Sequence, residues 1–332
     1  MGDSVKDIAP IGRRNFLLAS GMAAAVAGAT LKPAKAFAQI TPQDALATWK
    51  ATPSITLWPK GTPESGFSAK ELPKDWPATF LRNVDMPVLR VFRPEKPNGR
   101  ALLVMPGGAY TFVSIDNEGV QIARRMNALG YTVFVLLYRL PGEGWTHREN
   151  VPLQDAQRAM RIIRERAASY QCDPEHIYAV GFSAGGHLAA TLVTAFDEQV
   201  YTPRDSADAL TARPRAAGLI YPVISQVEGI GHAESTQRLL GEHPTMEATN
   251  RRSPAYHVTA QTPPCFLVHA LDDPAVPPEN SIMMLQALRT ADRPCEAHFF
   301  EEGGHGFGPS QPELPASEWI DLFGRWLNRH AA

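Results

Sequence analysis

The chain has 332 residues, with 32 Lys and Arg against 34 Asp and Glu, for a formal net charge of −2. That length suffices for one large α/β domain with a substantial core, and the balanced charge, without a long run of one sign, excludes the basic footprint of a nucleic-acid-binding protein. Apolar, charged and glycine fractions are those of an ordinary soluble globular protein, and the 29 prolines gather in connections such as Pro263-Pro264 and Pro277-Pro278, where a missing amide donor does least harm.

Residues 1–38 read as an export signal. Paired Arg13 and Arg14 precede a weakly hydrophobic stretch from Phe16 to Leu31, and Ala36-Phe37-Ala38 supplies an A-x-A cleavage site. The arginine pair resembles a bacterial twin-arginine signal, which directs export of a folded protein, so removal after Ala38 and a periplasmic or secreted location are expected. The apolar stretch is shorter than the ~20 strongly apolar residues a membrane span needs, and no other window is long or apolar enough.

Residues 39–87 are proline-rich and include "ITLWPKGTPESG", read as an extended, turn-rich wrapping segment. A single α/β domain then occupies 88–332. Val88–Pro94 reads as a strand and Asn98-Gly99 as a tight turn. "ALLVMP" (101–106) is a short apolar run suited to a strand buried on both faces. "DNEGVQIARRMNALG" has helical periodicity and closes on Gly130. "YTVFVLLY" (131–138) is a second buried strand, and Leu153, Ala156, Met160, Ile163 and Ala167 mark a second helix. "IYAVGF" and "AGGHLAATLVTAF" are the next strand and helix. Strands follow at 217–222, 265–270 and 295–300, with the helix "ENSIMMLQALRT" between the last two, and a terminal helix carries Trp319, Ile320, Phe323, Trp326 and Leu327 on one face. This alternation implies a mostly parallel sheet covered on both faces. The rhythm weakens near 197–214 and 225–264, which read as surface insertions or cap elements.

Cys172, Cys265 and Cys295 form no disulfide framework. Cys265 and Cys295 open two neighbouring strands, which leaves a bridge between them open. No C-x-x-C or H-E-x-x-H spacing points to a metal site.

Between "IYAVGF" and its helix lies Gly181-Phe-Ser-Ala-Gly185, a G-x-S-x-G in the strand–turn–helix context that makes Ser183 a nucleophile candidate. Its glycines relieve crowding around a strained serine, and the following helix points its N-terminus at developing negative charge. The hydroxyl needs a base and the base an orienting acid, in the chain order Ser, acid, His. "FLVHALDDPAVP" offers Asp272 and Asp273 just past a strand. "AHFFEEGGHGFG" offers His305, with glycines on both sides that let the loop curl back. His269 and His298 read as packing or strand-end residues, His187 as support for the helix or pocket wall, and His232, His243 and His330 as solvated. Oxyanion donors are expected from Ala184 and from Gly108 and Ala109 in "PGGAYTF", after the "ALLVMP" strand.

These stretches resemble the α/β-hydrolase family, and within it the carbohydrate esterases often labelled acetyl xylan esterase or xylanase-associated esterase. The resemblance spans roughly Ile55 to Leu327. It rests on "LWPKGTPES", "PGGAYTFVSIDNEG", "LLYRLPG", "PLQDAQRAMRIIR", "VGFSAGGHLAATL", "SPAYHVTAQTPPCFLVHALDDPAVPPENS" and "EEGGHGFG". The family pattern H-[GA]-x-x-D-x-x-V-P falls on Asp273, which selects it over Asp272. Ala109 stands where many relatives carry a third glycine, which implies a tighter pocket mouth that disfavours bulky acyl groups. Glu118-Gly119 resembles a recurrent pair near the pocket, with Glu118 read as a helix N-terminal carboxylate. Tyr110, Tyr138, Arg139, Trp145 and His187 are candidates to line the substrate cleft.

The expectation is an α/β-hydrolase fold carrying an exported serine esterase, with Ser183, Asp273 and His305 as the triad and acetyl esters of plant-wall carbohydrate as substrate. It needs a small-molecule or oligosaccharide ester, and no cofactor or metal. A general small-ester carboxylesterase is the alternative, followed by a peptidase or a non-catalytic carbohydrate-binding protein. A glycosidase needs two opposed carboxylates, and the sequence offers no such pair on a suitable scaffold.

Overall fold

Four strands of the sheet are buried at every position, which is why they read as continuous apolar runs rather than as alternating ones. The structure is a computed structural model that describes residues 39–309, 311 and 313–331. The export signal expected over 1–38 lies outside the described residues.

The first described element departs from expectation. The wrapping segment opens with helix α1 (Pro42–Ala51), capped by Thr41, whose hydroxyl accepts the Asp44 N–H at 3.2 Å. Proline at the first helical position costs no hydrogen bond, so Pro42 starts this helix instead of preventing it. The chain continues through β1 (Ser54–Thr56), β2 (Phe80–Leu81), β3 (Val88–Phe92), β4 (Ala101–Met105) and β5 (Val113–Ser114). A π turn over Asp116–Val120 leads into α2 (Gln121–Ala128). Then come β6 (Thr132–Leu137), α3 (Val151–Glu165), β7 (Ile177–Phe182), α4 (Ser183–Thr194) and β8 (Ala217–Ile220). The 225–264 insertion carries α5 (Ala233–Leu240) and α6 (Met246–Arg251). The last elements are β9 (Cys265–Ala270), α7 (Glu279–Thr290), β10 (Cys295–Phe300) and α8 (Trp319–Arg329).

Among the described residues, eight strands form one sheet in the order β1-β3-β6-β4-β7-β8-β9-β10. From β6 onward neighbours pair in parallel, while β1 and β3 run antiparallel. The chain leaves β4 through α2 to reach β6 on one side, then returns through α3 to β7 on the other. The strand order therefore reverses at the β4–β7 pair, and a crevice opens at the carboxyl ends of these two strands. Whatever follows Met105 and Phe182 is placed at that crevice. No helix among the described residues is long and apolar enough to cross a membrane.

The three cysteines are free. Cys265 and Cys295 are register partners on β9 and β10, but the Cys265 thiol is buried and donates to the Pro263 carbonyl at 3.4 Å. Burial pushes that thiol up to about 12, so it stays protonated and unreactive.

Candidate active site

Phe182 ends β7 in extended conformation, and Ser183 turns to φ +52° as the first residue of α4. A left-handed serine costs about 1–3 kcal/mol and persists only where its neighbours enforce it. They do so by contact. A side chain at 181 would stand 2.1 Å from the Gly185 carbonyl oxygen, and one at 185 would stand 2.1 Å from that of Met105. The two glycines are steric requirements of a sharp turn packed against the end of β4.

The turn presents the Ser183 hydroxyl to His305, whose Nε2 lies 2.9 Å from Oγ. His305 Nδ1 lies 2.7 Å from Oδ2 of Asp273. A carboxylate only accepts, so Nδ1 carries the proton and Nε2 is left to accept the Ser183 hydroxyl. Asp273 is fixed from other directions as well. The Ala275 and Val276 N–H groups each donate to Oδ1 at 2.9 Å, and His269 Nε2 approaches Oδ2 at 3.3 Å. Burial works to raise its pKa, but the hydrogen bonds from His269 and His305 and the Val276 N–H outweigh it, and Asp273 is held well below the usual carboxylate range. His269, read from sequence as a packing residue, thus touches the acid; its Nδ1 accepts the Ser281 hydroxyl at 2.7 Å. The neighbouring carboxylate has a different task. Asp272 Oδ1 accepts the Gly304 N–H at 2.8 Å and braces the loop that carries His305.

The loop after β4 lies against the serine. A side chain at Gly107 would meet Ser183 Cβ at 2.9 Å. Gly108, Ala109 and Tyr110 follow with φ of +128°, +53° and +58°. The loop's own bonds use the Gly107 N–H, the Gly107 carbonyl and the Gly108 carbonyl. The N–H groups of Gly108 and Ala109 have no protein acceptor among the described residues. Ala184 lies in the first turn of α4, where amide N–H groups lack intrahelical acceptors. The three expected oxyanion donors are therefore all available beside Ser183.

Glu118 lies in the first turn of a helical segment, as read from the sequence, but its two oxygens are also taken by specific donors. It lies in the π turn before α2, is buried, and accepts the Gly107 N–H through Oε2 at 2.7 Å and the Tyr221 hydroxyl through Oε1 at 2.9 Å. Burial raises its pKa, and these two donors partly offset that. Tyr221, which the sequence did not single out, sets its ring edge-on to His305 at 5.1 Å.

The expected cleft lining is corrected. Tyr110 is buried with its hydroxyl donated to His187 Nδ1 at 2.7 Å, and Tyr138 is buried with its hydroxyl donated to the Pro106 carbonyl at 2.7 Å. Both hydroxyls are thereby fixed in the interior behind the loop that follows β4. Arg139 is fully buried, its guanidinium and its own N–H bound to Asp155, whose Oδ1 also accepts the Trp58 indole N–H at 2.7 Å. Trp145 is buried with its ring 5.0 Å from that guanidinium. Interior partners take both tyrosine hydroxyls and most of the Arg139 guanidinium, whereas the buried Trp145 indole N–H has no hydrogen-bond partner among the described residues. His187 is buried between Tyr110 and the Arg252 carbonyl, at 2.7 Å from each. A carbonyl only accepts, so Nε2 carries the proton and Nδ1 accepts from Tyr110. Burial pushes its pKa down to about 4, so it is neutral at pH 7.

His232 is also corrected. It is half-buried, not solvated, and caps α5, where Nδ1 accepts the Ser235 N–H at 3.3 Å. Burial lowers its pKa, and the nearby Glu234 carboxylate partly offsets that. His330 packs on Trp326 with the rings tilted and their centroids 4.4 Å apart, and is half-buried, whereas His243 is exposed as read.

Comparison with known proteins follows the same outline. The BD-FAE family matches residues 89–288, more than half of the chain. An acetylxylan esterase of Xylanibacter ruminicola is 32% identical over 251 residues, covering 72% of this chain and 44% of that protein. Endo-1,4-beta-xylanase B of Butyrivibrio fibrisolvens is 35% identical over 213 residues, covering 64% of this chain and 33% of that protein. The chain thus spans less than half the length of these two curated relatives. Among solved structures, an acetyl ester-xyloside bifunctional hydrolase from Caldicellulosiruptor lactoaceticus has a TM-score of 0.67 at 33% identity, covering 82% of this chain and 98% of that one. A thermophilic esterase from Thermogutta terrifontis, with propionate bound, has a TM-score of 0.62 at 26% identity, covering 82% and 96%. Sheet order, the turn at Ser183 and these matches agree, and the chain belongs to the BD-FAE family of α/β hydrolases.

Proposed function

We propose that this chain is a serine esterase that removes acyl groups, acetyl above all, from carbohydrate esters. The observation that carries this reading is the continuous chain from Ser183 Oγ to His305 at 2.9 Å and on to Asp273 at 2.7 Å, at a strained turn beside free backbone N–H groups. Ser183 Oγ attacks the ester carbonyl carbon while His305 Nε2 takes its proton. The carbonyl oxygen becomes an oxyanion held by the N–H groups of Gly108, Ala109 and Ala184. Asp273 remains ionised and stabilises the imidazolium. As the intermediate collapses, the imidazolium gives its proton to the departing alcohol oxygen and leaves an acyl-Ser183. Water, deprotonated by the same imidazole, then releases the carboxylic acid and restores the serine.

The acetyl and plant-wall assignment is supported by the names of the relatives, an acetylxylan esterase and an acetyl ester-xyloside hydrolase. Export is supported by the residue pattern at Arg13-Arg14 and Ala36-Phe37-Ala38. Two relatives also carry xylanase or xyloside in their names, which raises glycoside hydrolysis. That chemistry needs two carboxyl groups about 5–9.5 Å apart, free to act on either side of a glycosidic bond. Here Asp273 is bound to His305, Ala275 and Val276, and Glu118 to Gly107 and Tyr221, so both are committed elsewhere.

A fluorophosphonate probe tests the nucleophile. One phosphonyl group is expected on the peptide containing Ser183, located by mass spectrometry, with loss of esterase activity in proportion. Full inactivation with the label on another residue would overturn the reading.

A further inference from the structure

We propose that Glu118 is a positioning residue for ester hydrolysis, one carboxylate that holds the oxyanion loop and the histidine loop in register over Ser183. The inference rests on the serine-esterase reading above.

The π turn Asp116–Val120 brings two adjacent side chains to two different loops. Asn117 Nδ2 donates to the Gly306 carbonyl at 2.7 Å, one residue beyond His305. Glu118 divides its two oxygens. Oε2 takes the Gly107 N–H at 2.7 Å, and Oε1 takes the Tyr221 hydroxyl at 2.9 Å.

The Gly107 contact sets a direction. Gly107 is pinned at both ends, by Glu118 at its N–H and by the Ser114 N–H at its carbonyl, at 3.0 Å. A peptide unit is planar and trans, so a carbonyl turned toward Ser114 turns the Gly108 N–H the opposite way. Glu118 thereby helps to hold the first oxyanion donor in orientation. No substitute fits easily at this position, because a side chain at 107 would meet Glu118 Oε2 and Ser183 Cβ, each at 2.9 Å.

The Tyr221 contact sets a wall. The Tyr221 ring lies edge-on to the His305 imidazole at 5.1 Å and to Phe307 at 4.8 Å. The histidine loop is thus tied to the same carboxylate through one tyrosine.

Burying a carboxylate is costly unless donors satisfy it. Here one donor, Gly107, belongs to the loop beside Ser183 and the other, Tyr221, follows β8 and packs on His305, and neither is a cation. Its role is therefore geometric alignment of groups that act in the transition state. Loss of that alignment should appear in kcat rather than KM.

The test compares the purified protein with Glu118→Ala, Glu118→Gln and Ser183→Ala, using p-nitrophenyl acetate and thermal melting. Glutamine keeps an acceptor for Gly107 and offers its amide to Tyr221 Oη, so it retains the tether without the charge. Glu118→Ala is expected to lower kcat about 100-fold with KM within about threefold, and Glu118→Gln to recover to within about tenfold of the parent. Should Glu118→Ala fail to fold, Tyr221→Phe carries the test, with kcat expected to fall about tenfold. A folded Glu118→Ala with parental kcat, or a parental Tyr221→Phe, overturns this inference alone, provided Ser183→Ala is silent. Glu118→Gln as damaging as Glu118→Ala overturns the tether in favour of charge. Persistent turnover by Ser183→Ala overturns the esterase reading and this inference with it.

Discussion

His305 Nδ1 stands 2.7 Å from Oδ2 of Asp273, while the adjacent Asp272 stays exposed and accepts the Gly304 N–H at 2.8 Å. One carboxylate sets the imidazole tautomer and the other shapes the loop. Asp273→Asn presents a donor to Nδ1 and reverses the tautomer, so kcat on p-nitrophenyl acetate should fall about 10⁴-fold. Asp272→Asn keeps an acceptor for Gly304, and its loss should stay within about tenfold. Steady-state kinetics of the two variants decide the assignment, and a larger loss at 272 would contradict it.

Ser183 and Ala109 both occupy left-handed backbone, at φ +52° and +53°. Glycine adopts that region without steric cost. Ser183→Gly should therefore raise stability by about 1 kcal/mol in urea unfolding while abolishing turnover. Ala109→Gly should likewise be at least as stable as the parent, and by widening the mouth it should raise turnover of butyrate esters relative to acetate esters. A destabilised Ser183→Gly would show that the turn is not strained.

Much of this arrangement is legible in the sequence, for a physical reason. Ser183, Asp273 and His305 each follow within a few residues of a strand end, and strands buried on both faces appear as unbroken apolar runs. Local chemistry suffices there. It does not suffice for Glu118, whose partners Gly107 and Tyr221 are 11 and 103 residues away. It also fails for Tyr110, Tyr138, Arg139 and Trp145, whose aromatic and cationic character suits a cleft as well as an interior until the partners are known. α1 escapes because its buried face is only Ala45 and Trp49 among flanking prolines.

His187 is held neutral by burial, with its pKa pushed down to about 4 from an unfolded value of about 6.5. The unfolded chain therefore binds more protons between these values, and stability falls as pH drops from 6.5 to 4. The contribution over that window is about 3 kcal/mol at one histidine. His187→Gln removes the titration, so its unfolding free energy should depend less steeply on pH across this range. An unchanged slope would contradict a neutral buried His187.

Arg139 and Asp155 form an ion pair with both side chains fully buried. Removing one partner strands the other in the interior, so Asp155→Ala should cost about 3–5 kcal/mol and lower the melting temperature markedly. A melting temperature equal to the parent's would show that Arg139 finds another partner.

The most direct test of the central claim is acetate release from acetylated xylan by the purified protein, measured beside Ser183→Ala. Steady release is expected from the parent and a loss of roughly 10⁴-fold or more in the variant, with both proteins folded. Equal release by the two proteins would contradict the assignment of Ser183 as the nucleophile.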